Sequence, residues 1–429
     1  MDVTAVFLTT ATIFLWGVLS ARVERADLSA PIVFTAIGAA FAVLGLIDAP
    51  SAPETLKPLV EITLVWVLFS DAARVRAQDL RHDLGPYVRL LGVGLPLTVL
   101  AGWVLAARLL HGLDLWLALL VAAALAPTDA ALGVPVVTNP VVPARVRRVI
   151  TVESGLNDGI VTPVVVLAIA GAASSVGLAS APGLWEALVE LAVGMVVGVA
   201  VGAGGGWLLR WARRRGWAAE EFAGVAVLAL ALVAYTGALV LHGNGFVAAF
   251  VGGLAFGATA GPRGRGELVF MEQASGLASL LVWLAFGAVA VPIMVSRIDA
   301  ATVLYAVLSL TVVRMVPVAL ASVGAGLDRA TLLFVAWFGP RGLASLVFAL
   351  LALEELGPDA DPAVSVIAMT VLLSVVAHGL SAGPLAARYG AAEAARPREP
   401  GRPVPDIPIR GLPRRRRAPG VAGTGGPPA

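Results

Sequence analysis

The sequence predicts an all-α polytopic membrane protein of 13 transmembrane helices, arranged as an inverted repeat of six. Three observations carry that reading: long apolar runs, a one-sided distribution of arginines, and two proline-broken runs an odd number of spans apart. Of 429 residues, 59% are hydrophobic and 14% charged, with a mean hydropathy of +0.89. A single soluble core stops growing well below that length, and a soluble helical chain would show charged faces at helical spacing. The apolar runs here are instead about 16 to 25 residues long, the length a helix needs to cross a bilayer. The chain has no cysteine, which excludes disulfides and thiolate metal sites. Met1-Asp2 opens without a basic n-region, so the first run is expected to be a retained helix rather than a cleaved signal.

The spans lie near 3–20, 30–47, 58–73, 87–107, 115–137, 149–173, 184–209, 220–241, 244–258, 268–295, 301–325, 330–353 and 364–387. Arginines test that count independently. With the amino terminus outside, the inside loops and the carboxyl tail hold 24 of the 30 basic residues. Outside loops hold only Lys57, Arg108 and Arg297, and Arg89, Arg314 and Arg341 fall within spans. Basic residues mark cytoplasmic loops, and one missed helix would erase the bias. The expected location is a cell membrane, with the amino terminus outside and the carboxyl terminus cytoplasmic. The segment 389–429 is rich in Pro, Gly and Arg, with Arg414–Arg417 in a row. It is expected to be a disordered cytoplasmic tail that touches anionic lipid rather than nucleic acid.

Span five carries Pro127-Thr128-Asp129 in its middle, with Pro135 beyond, and span twelve carries Gly339-Pro340-Arg341-Gly342. Proline removes a donor and clashes with the preceding turn, so both helices are expected to be interrupted. An offset of seven spans sets the two in opposite directions through the membrane. Spans 1–6 then repeat, inverted, as spans 8–13, with span seven as linker, an organisation found in secondary transporters. Asp129 and Arg341 would face half-helix ends of opposite partial charge.

Span six contains ESGLNDG, Glu153 to Gly159. An ionised acid at mid-membrane costs roughly 2.5–3.5 kcal/mol on insertion scales, so it is paired, protonated or functional. At about 100° per residue, Ser154 and Asp158 share a face, whereas Glu153 and Asp158 look about 140° apart. Glu153 suits a structural ion pair with Arg314, deep in span eleven, because pairing removes two isolated charges at once. Asp158, beside the Ser154 hydroxyl and unwound backbone oxygens, suits a hard monovalent cation or a proton, one in place of the other. Exchange follows from such competition.

Other polar residues have plainer readings. Asp71 could pair with Arg74 one turn on, or stand near the ion path. His378 reads as a hydrogen-bonding group near a helix end rather than a pH sensor. Gly194, Gly198, Gly202 and Gly206 have the spacing of a close helix contact.

Taken together, TDA at 128–130, ESGLNDG at 153–159, GPRGLAS at 339–345 and VLLSVVAHGLSAGPLA at 371–386 resemble the sodium/proton exchanger family, a branch of the monovalent cation:proton antiporter superfamily. The resemblance covers nearly all of residues 1–390. It implies that Asp158 binds the ion and the proton, with Asn157 before it. Ser154, Thr128 and Asp129 line the site, and Asp158, Ser154 and Thr128 are the Na+ ligands. It also implies a stabilising Glu153–Arg314 pair, an arginine at the second broken helix (Arg341), electroneutral one-for-one exchange and a homodimer. A core (about 87–173 and 301–388) would slide against a scaffold (about 1–73 and 220–295), joined by a linker helix (184–209). Pro340 before Arg341 and Ala130 after Asp129 depart from common family patterns. The expected function is exchange of Na+ or Li+ for H+ in the service of pH homeostasis, without cofactor or catalysis, with K+ as the alternative cargo. An intramembrane aspartyl protease would need a Gly-x-Gly-Asp motif that the sequence lacks, and a passive channel would need a filter.

Overall fold

The structure, a computed structural model, describes residues 3–23, 28–46, 56–75, 84–130, 141–178, 184–261 and 264–394, with Leu132, Val136 and Asn139 besides. Their regular elements are all helices, with no strand among the described residues. In chain order the helices are α1 (Val3–Val23), α2 (Ala30–Val43), α3 (Lys57–Arg74), α4 (Leu84–Leu109), α5 (Leu115–Ala124), α6 (Ala144–Ser175) and α7 (Leu184–Arg214). There follow α8 (Glu220–Val240), α9 (Gly245–Thr259), α10 (Gly264–Ser296), α11 (Ala300–Ala321), α12 (Arg329–Trp337), α13 (Leu343–Leu356) and α14 (Asp361–Ala394). Among the described residues, eight apolar helical stretches are long enough to cross a membrane. One of them runs unbroken in hydropathy from Leu343 to Glu393. A single straight helix of that length would far exceed any bilayer. The chain folds back instead at Gly357, whose φ of 58° suits a residue without Cβ, so that α13 and α14 pack against each other.

Local chemistry explains the irregular places. α4 widens into a π turn at Leu90–Gly94, immediately before Pro96, which has no N–H to donate into the preceding turn. α11 is distorted at Thr311 (φ −109°, ψ −87°), three residues before Arg314. Asp114, Asn244, Asp299 and Asp328 cap α5, α9, α11 and α12 by accepting backbone N–H groups of the first turn.

Glycines draw several helices together closely enough for backbone to touch backbone. A Cβ at Gly194, Gly198 or Gly202 of α7 would collide with carbonyls of Asn244, Ala248 or Gly252, so the glycine ladder seats α7 on α9 and its N-terminal cap. Gly253 and Gly257 of α9 meet Phe69 and Ala73 of α3 in the same way, and Gly38 and Gly287 bring α2 against α10. Gap-free approach of this kind is the means by which helices associate in lipid, where apolar burial drives nothing.

The structure moves one sequence boundary. α14 continues past residue 388 to Ala394, and Tyr389 is buried, stacked on Phe334 at 4.3 Å and hydrogen-bonded to Thr331 at 2.8 Å. Residues 389–394 therefore belong to the helical body rather than to a tail. Residues 395–429, with Arg414–Arg417, lie outside the described residues, as do Pro135 and most of the expected second half of span five.

Candidate functional site: two helix breaks beside an acidic helix

The breaks fall where the prolines put them. α5 ends at Ala124, ahead of Pro127, and residues 127–129 are not helical. α12 ends at Trp337, the chain turns tightly at Phe338 with the Gly339 N–H donating to the Trp337 carbonyl at 2.8 Å, and residues 338–342 are not helical until α13 begins at Leu343. The two unwound segments touch. The N–H of Asp129 donates to the carbonyl of Pro340 at 2.8 Å, and the N–H of Leu343 donates to Asp129 Oδ2 at 3.1 Å. Asp129 thereby places a negative charge on the N-terminus of α13, the end where the helix dipole favours it. Only glycine fits opposite, because a Cβ at Gly342 would lie inside the Asp129 carboxylate. Gly339 is held equally tightly, between Arg314 Nε and the methyl of Thr128.

Arg341 is 0% exposed. Its guanidinium donates to the carbonyl of Gly339 at 2.9 Å and reaches that of Pro127 at 3.5 Å, carbonyls that the breaks leave without helical partners. Its backbone N–H donates to Ser374 Oγ at 2.7 Å. One turn further along α14, His378 Nδ1 lies 3.1 Å from the same hydroxyl, and His378 Nε2 lies 3.0 Å from the carbonyl of Trp337. Ser374 and His378 thus supply partners for two main-chain groups at the break in α12, the Arg341 N–H and the Trp337 carbonyl, which also accepts from the Gly339 N–H at 2.8 Å. The expectation for His378 as a hydrogen-bonding group matches this geometry: it reaches the end of α12, and its Nδ1 also lies 2.9 Å from the Ser374 carbonyl of its own helix. Ser374 escaped the sequence reading. Its only signal was its position four residues before His378, which puts the two on one face.

α6 carries the acids past these breaks. Glu153 Oε1 lies 2.6 Å from Arg314 Nη1, both side chains almost fully buried. Ser154, on the neighbouring face, has its hydroxyl 2.9 Å from Thr128 Oγ1, which also accepts from Asn157 Nδ2 at 2.8 Å. Ser154, Asp158, Thr128, Asp129 and Asp71 line one cleft with about 50 Å³ of internal space. A water needs roughly 10–15 Å³ by that measure, so the cleft takes an ion and a few waters and excludes a peptide or a sugar. Glu153 is not on its wall. The expected division between the two acids of α6 is thus seen as two directions, one toward Arg314 and one toward the cleft.

Asp71 comes to the cleft wall, with its backbone and Cβ packed against Gly155 of α6. Arg74, the expected local partner of Asp71, forms an ion pair with Glu272 of α10. That partner lies far along the chain, beyond the reach of any local reading.

The family model described as "Sodium/hydrogen exchanger, transmembrane" matches residues 8–388. The chain is 25% identical over 342 residues to the K(+)/H(+) antiporter NhaP of Alkalimonas amylolytica, covering 78% of this chain and 58% of that protein. It is 27% identical over 254 residues to the K(+)/H(+) antiporter NhaP2 of Shewanella oneidensis, covering 56% and 41% respectively. The matched part of the chain thus spans 58% of the length of the first of these relatives and 41% of the second. Its fold superposes on the sodium proton antiporter MjNhaP1 from Methanocaldococcus jannaschii with a TM-score of 0.73, covering 90% of this chain and 98% of that one at 21% identity. The paired breaks, the acidic helix beside them and the family match over residues 8–388 concur: this multi-pass membrane protein belongs to the sodium/hydrogen exchanger family.

Proposed function

We propose that the chain is a secondary antiporter that exchanges a monovalent cation for H+, with Asp158 binding one or the other. The observation that carries this reading is the cleft itself. Asp158, Ser154 and Thr128 all line it, while Glu153 next door is paired with Arg314, and this supports Asp158 as the exchanging carboxylate. Oxygen ligands suit a hard cation, and a carboxylate that holds a cation releases its proton to do so. One positive charge replaces another, so the exchange is electroneutral, one for one. Asp129, Asn157, Arg341 and the Glu153–Arg314 pair hold the site in shape, and Asp71 lines the approach.

The remaining architecture follows from the sequence: 13 spans in a cell membrane, amino terminus outside, the two repeats inverted and their broken helices crossing near the midplane. The active unit is a homodimer in which residues 87–173 and 301–388 move against residues 1–73 and 220–295, giving the site access to each side in turn.

Na+ or Li+ is the first reading of the cargo. The K+ reading is favoured by the names of the relatives from Alkalimonas and Shewanella. Everted membrane vesicles carrying the full chain decide between them. Collapse of a preset pH gradient on adding Na+ or Li+, lost in Asp158→Asn, is the expected result. Collapse with K+ alone would move the cargo to K+. Absence of any response across pH 6 to 9 would overturn the antiport reading.

A further inference from the structure

The cleft reaches only one end of α3, and charged pairs join the helices at the other end. The residues that α3 gives to the cleft, Val67, Asp71, Arg74 and Val75, come from its second half and C-cap. Lys57 is its first residue, about 21 Å from Asp71 at the usual rise of about 1.5 Å per residue. There the Lys57 ammonium lies 2.8 Å from Glu355 Oε1 and 3.1 Å from Glu354 Oε1. Both acids stand at the end of α13 opposite Leu343, which lines the cleft. A second pair repeats the arrangement. Arg297, one residue past the end of α10, lies 3.3 Å from Asp361, the first residue of α14. All three acids therefore flank the turn between α13 and α14, and both bases are carried by α3 and α10.

Those two sets of helices are held together differently. α3 and α10 belong to contacts sealed by glycine, to α9 and α2 respectively, where backbone meets backbone. α13 and α14 surround the break in α12 and are tied to α5 and α6 by the hydrogen bonds of Asp129, Arg341 and Thr128. The cleft lies along the seam between the sets, with α3 on one wall and α6 on the other.

We infer that Lys57 with Glu354 and Glu355, and Arg297 with Asp361, are gating residues: a two-point latch that keeps the face opposite the cleft closed and parts once in every transport cycle. The inference rests on the exchange reading above, because only a site that opens to both sides requires this face to open. Lys57 and Arg297 are more than two-fifths exposed. Exposed pairs contribute little individually, so the latch biases the balance between the two access states without fixing it. A bias of that size suits a carrier that must leave each state readily.

The chain has no cysteine of its own, which makes the test clean. Lys57→Cys with Glu354→Cys is placed in the full-length protein in vesicles and joined by a short, reducible bis-methanethiosulfonate linker. Linking is expected to stop cation-driven proton movement at least tenfold, and reduction to restore it. Either single cysteine variant treated with the same reagent should keep its flux. Undiminished flux in protein shown by mass to be fully linked would overturn the latch while leaving the antiport reading standing. Wild-type protein silent toward Na+, Li+ and K+ would overturn both. Should the double-cysteine protein fail to fold, Lys57→Gln with Arg297→Gln gives an independent reading. It is expected to lower the half-saturating cation concentration two- to fivefold on the latch side and raise it on the cleft side, measured in vesicles of both orientations. Equal or unchanged values on the two sides would overturn the latch.

Discussion

The carboxylate of Asp129 accepts a hydrogen bond from the backbone N–H of Leu343, closing a contact across 214 positions of chain. It holds the end of one unwound segment against the start of the helix that follows the other. Asp129→Ala would leave that buried N–H without its partner, a loss of about 1–3 kcal/mol. Asp129→Asn keeps an acceptor and gives up the charge. The alanine variant is expected to lose stability and exchange together. The asparagine variant should stay within about 1 kcal/mol of wild type. Thermal unfolding in detergent, with flux measured on the same preparations, checks both.

Glu153 and Arg314 make a buried pair at 2.6 Å, and removing one partner of such a pair typically costs about 3–5 kcal/mol. Glu153→Gln and Arg314→Gln are each expected to lower the yield of folded protein sharply. The double variant Glu153→Gln/Arg314→Gln should recover part of the loss, since no buried charge is then left alone. A double variant no better than the sum of the singles would show that the two residues act independently.

Ser374→Ala strips the Arg341 N–H of its acceptor and His378 of its hydroxyl neighbour. The cost is expected to be about 1–3 kcal/mol in stability, with exchange slowed in the protein that still folds. Ser374→Thr, which preserves the hydroxyl, should restore both. A threonine variant as impaired as the alanine variant would point to packing rather than hydrogen bonding.

Asp299 caps α11 through the N–H of Thr302 at 2.7 Å, and that backbone bond, with one from the Thr302 side chain, holds its carboxyl below the ordinary carboxylate range. A depressed folded pKa means that its contribution is complete above the unfolded value and fades as pH falls through the folded one. Asp299→Ala is therefore expected to cost about 0.5–2 kcal/mol at neutral pH. The difference from wild type should vanish in acid below both values. A gap that persisted there would show that the charge is not what the cap supplies.

The breaks and the acids were legible because their causes are local. Pro127 and Pro340 interrupt helices wherever they occur, and a spacing of one or four residues fixes whether two side chains of α6 share a face. What escaped depends on the approach of distant segments. Arg74 reaches Glu272, almost two hundred positions along the chain, because α3 and α10 pack together. Ser374 is one serine among many until α12 is seen to end against it. Tyr389 stands at the head of a segment rich in Pro, Gly and Arg further on, whose composition outweighed a single aromatic ring, and that ring is what pins the last turns of α14 to Phe334. Local chemistry announced the helices and their interruptions; the partners across them came from packing.

The oxygen lining of the cleft has a further consequence. An alkali ion in bulk water keeps a full shell of solvent, and to sit against Asp158, Ser154 and Thr128 it exchanges part of that shell for protein oxygens. Entry therefore means dehydration, with the Thr128 and Ser154 hydroxyls and the Asp158 carboxylate standing in for the lost waters. Those two hydroxyls are already only 2.9 Å apart. Discrimination between alkali ions then becomes a contest between the cost of stripping each ion and the closeness with which these oxygens can gather around it. A tight cluster favours the smaller ion. Thr128→Ser, which removes one methyl from between the cluster and Gly339, gives the oxygens room to spread and would tilt the balance toward the larger one.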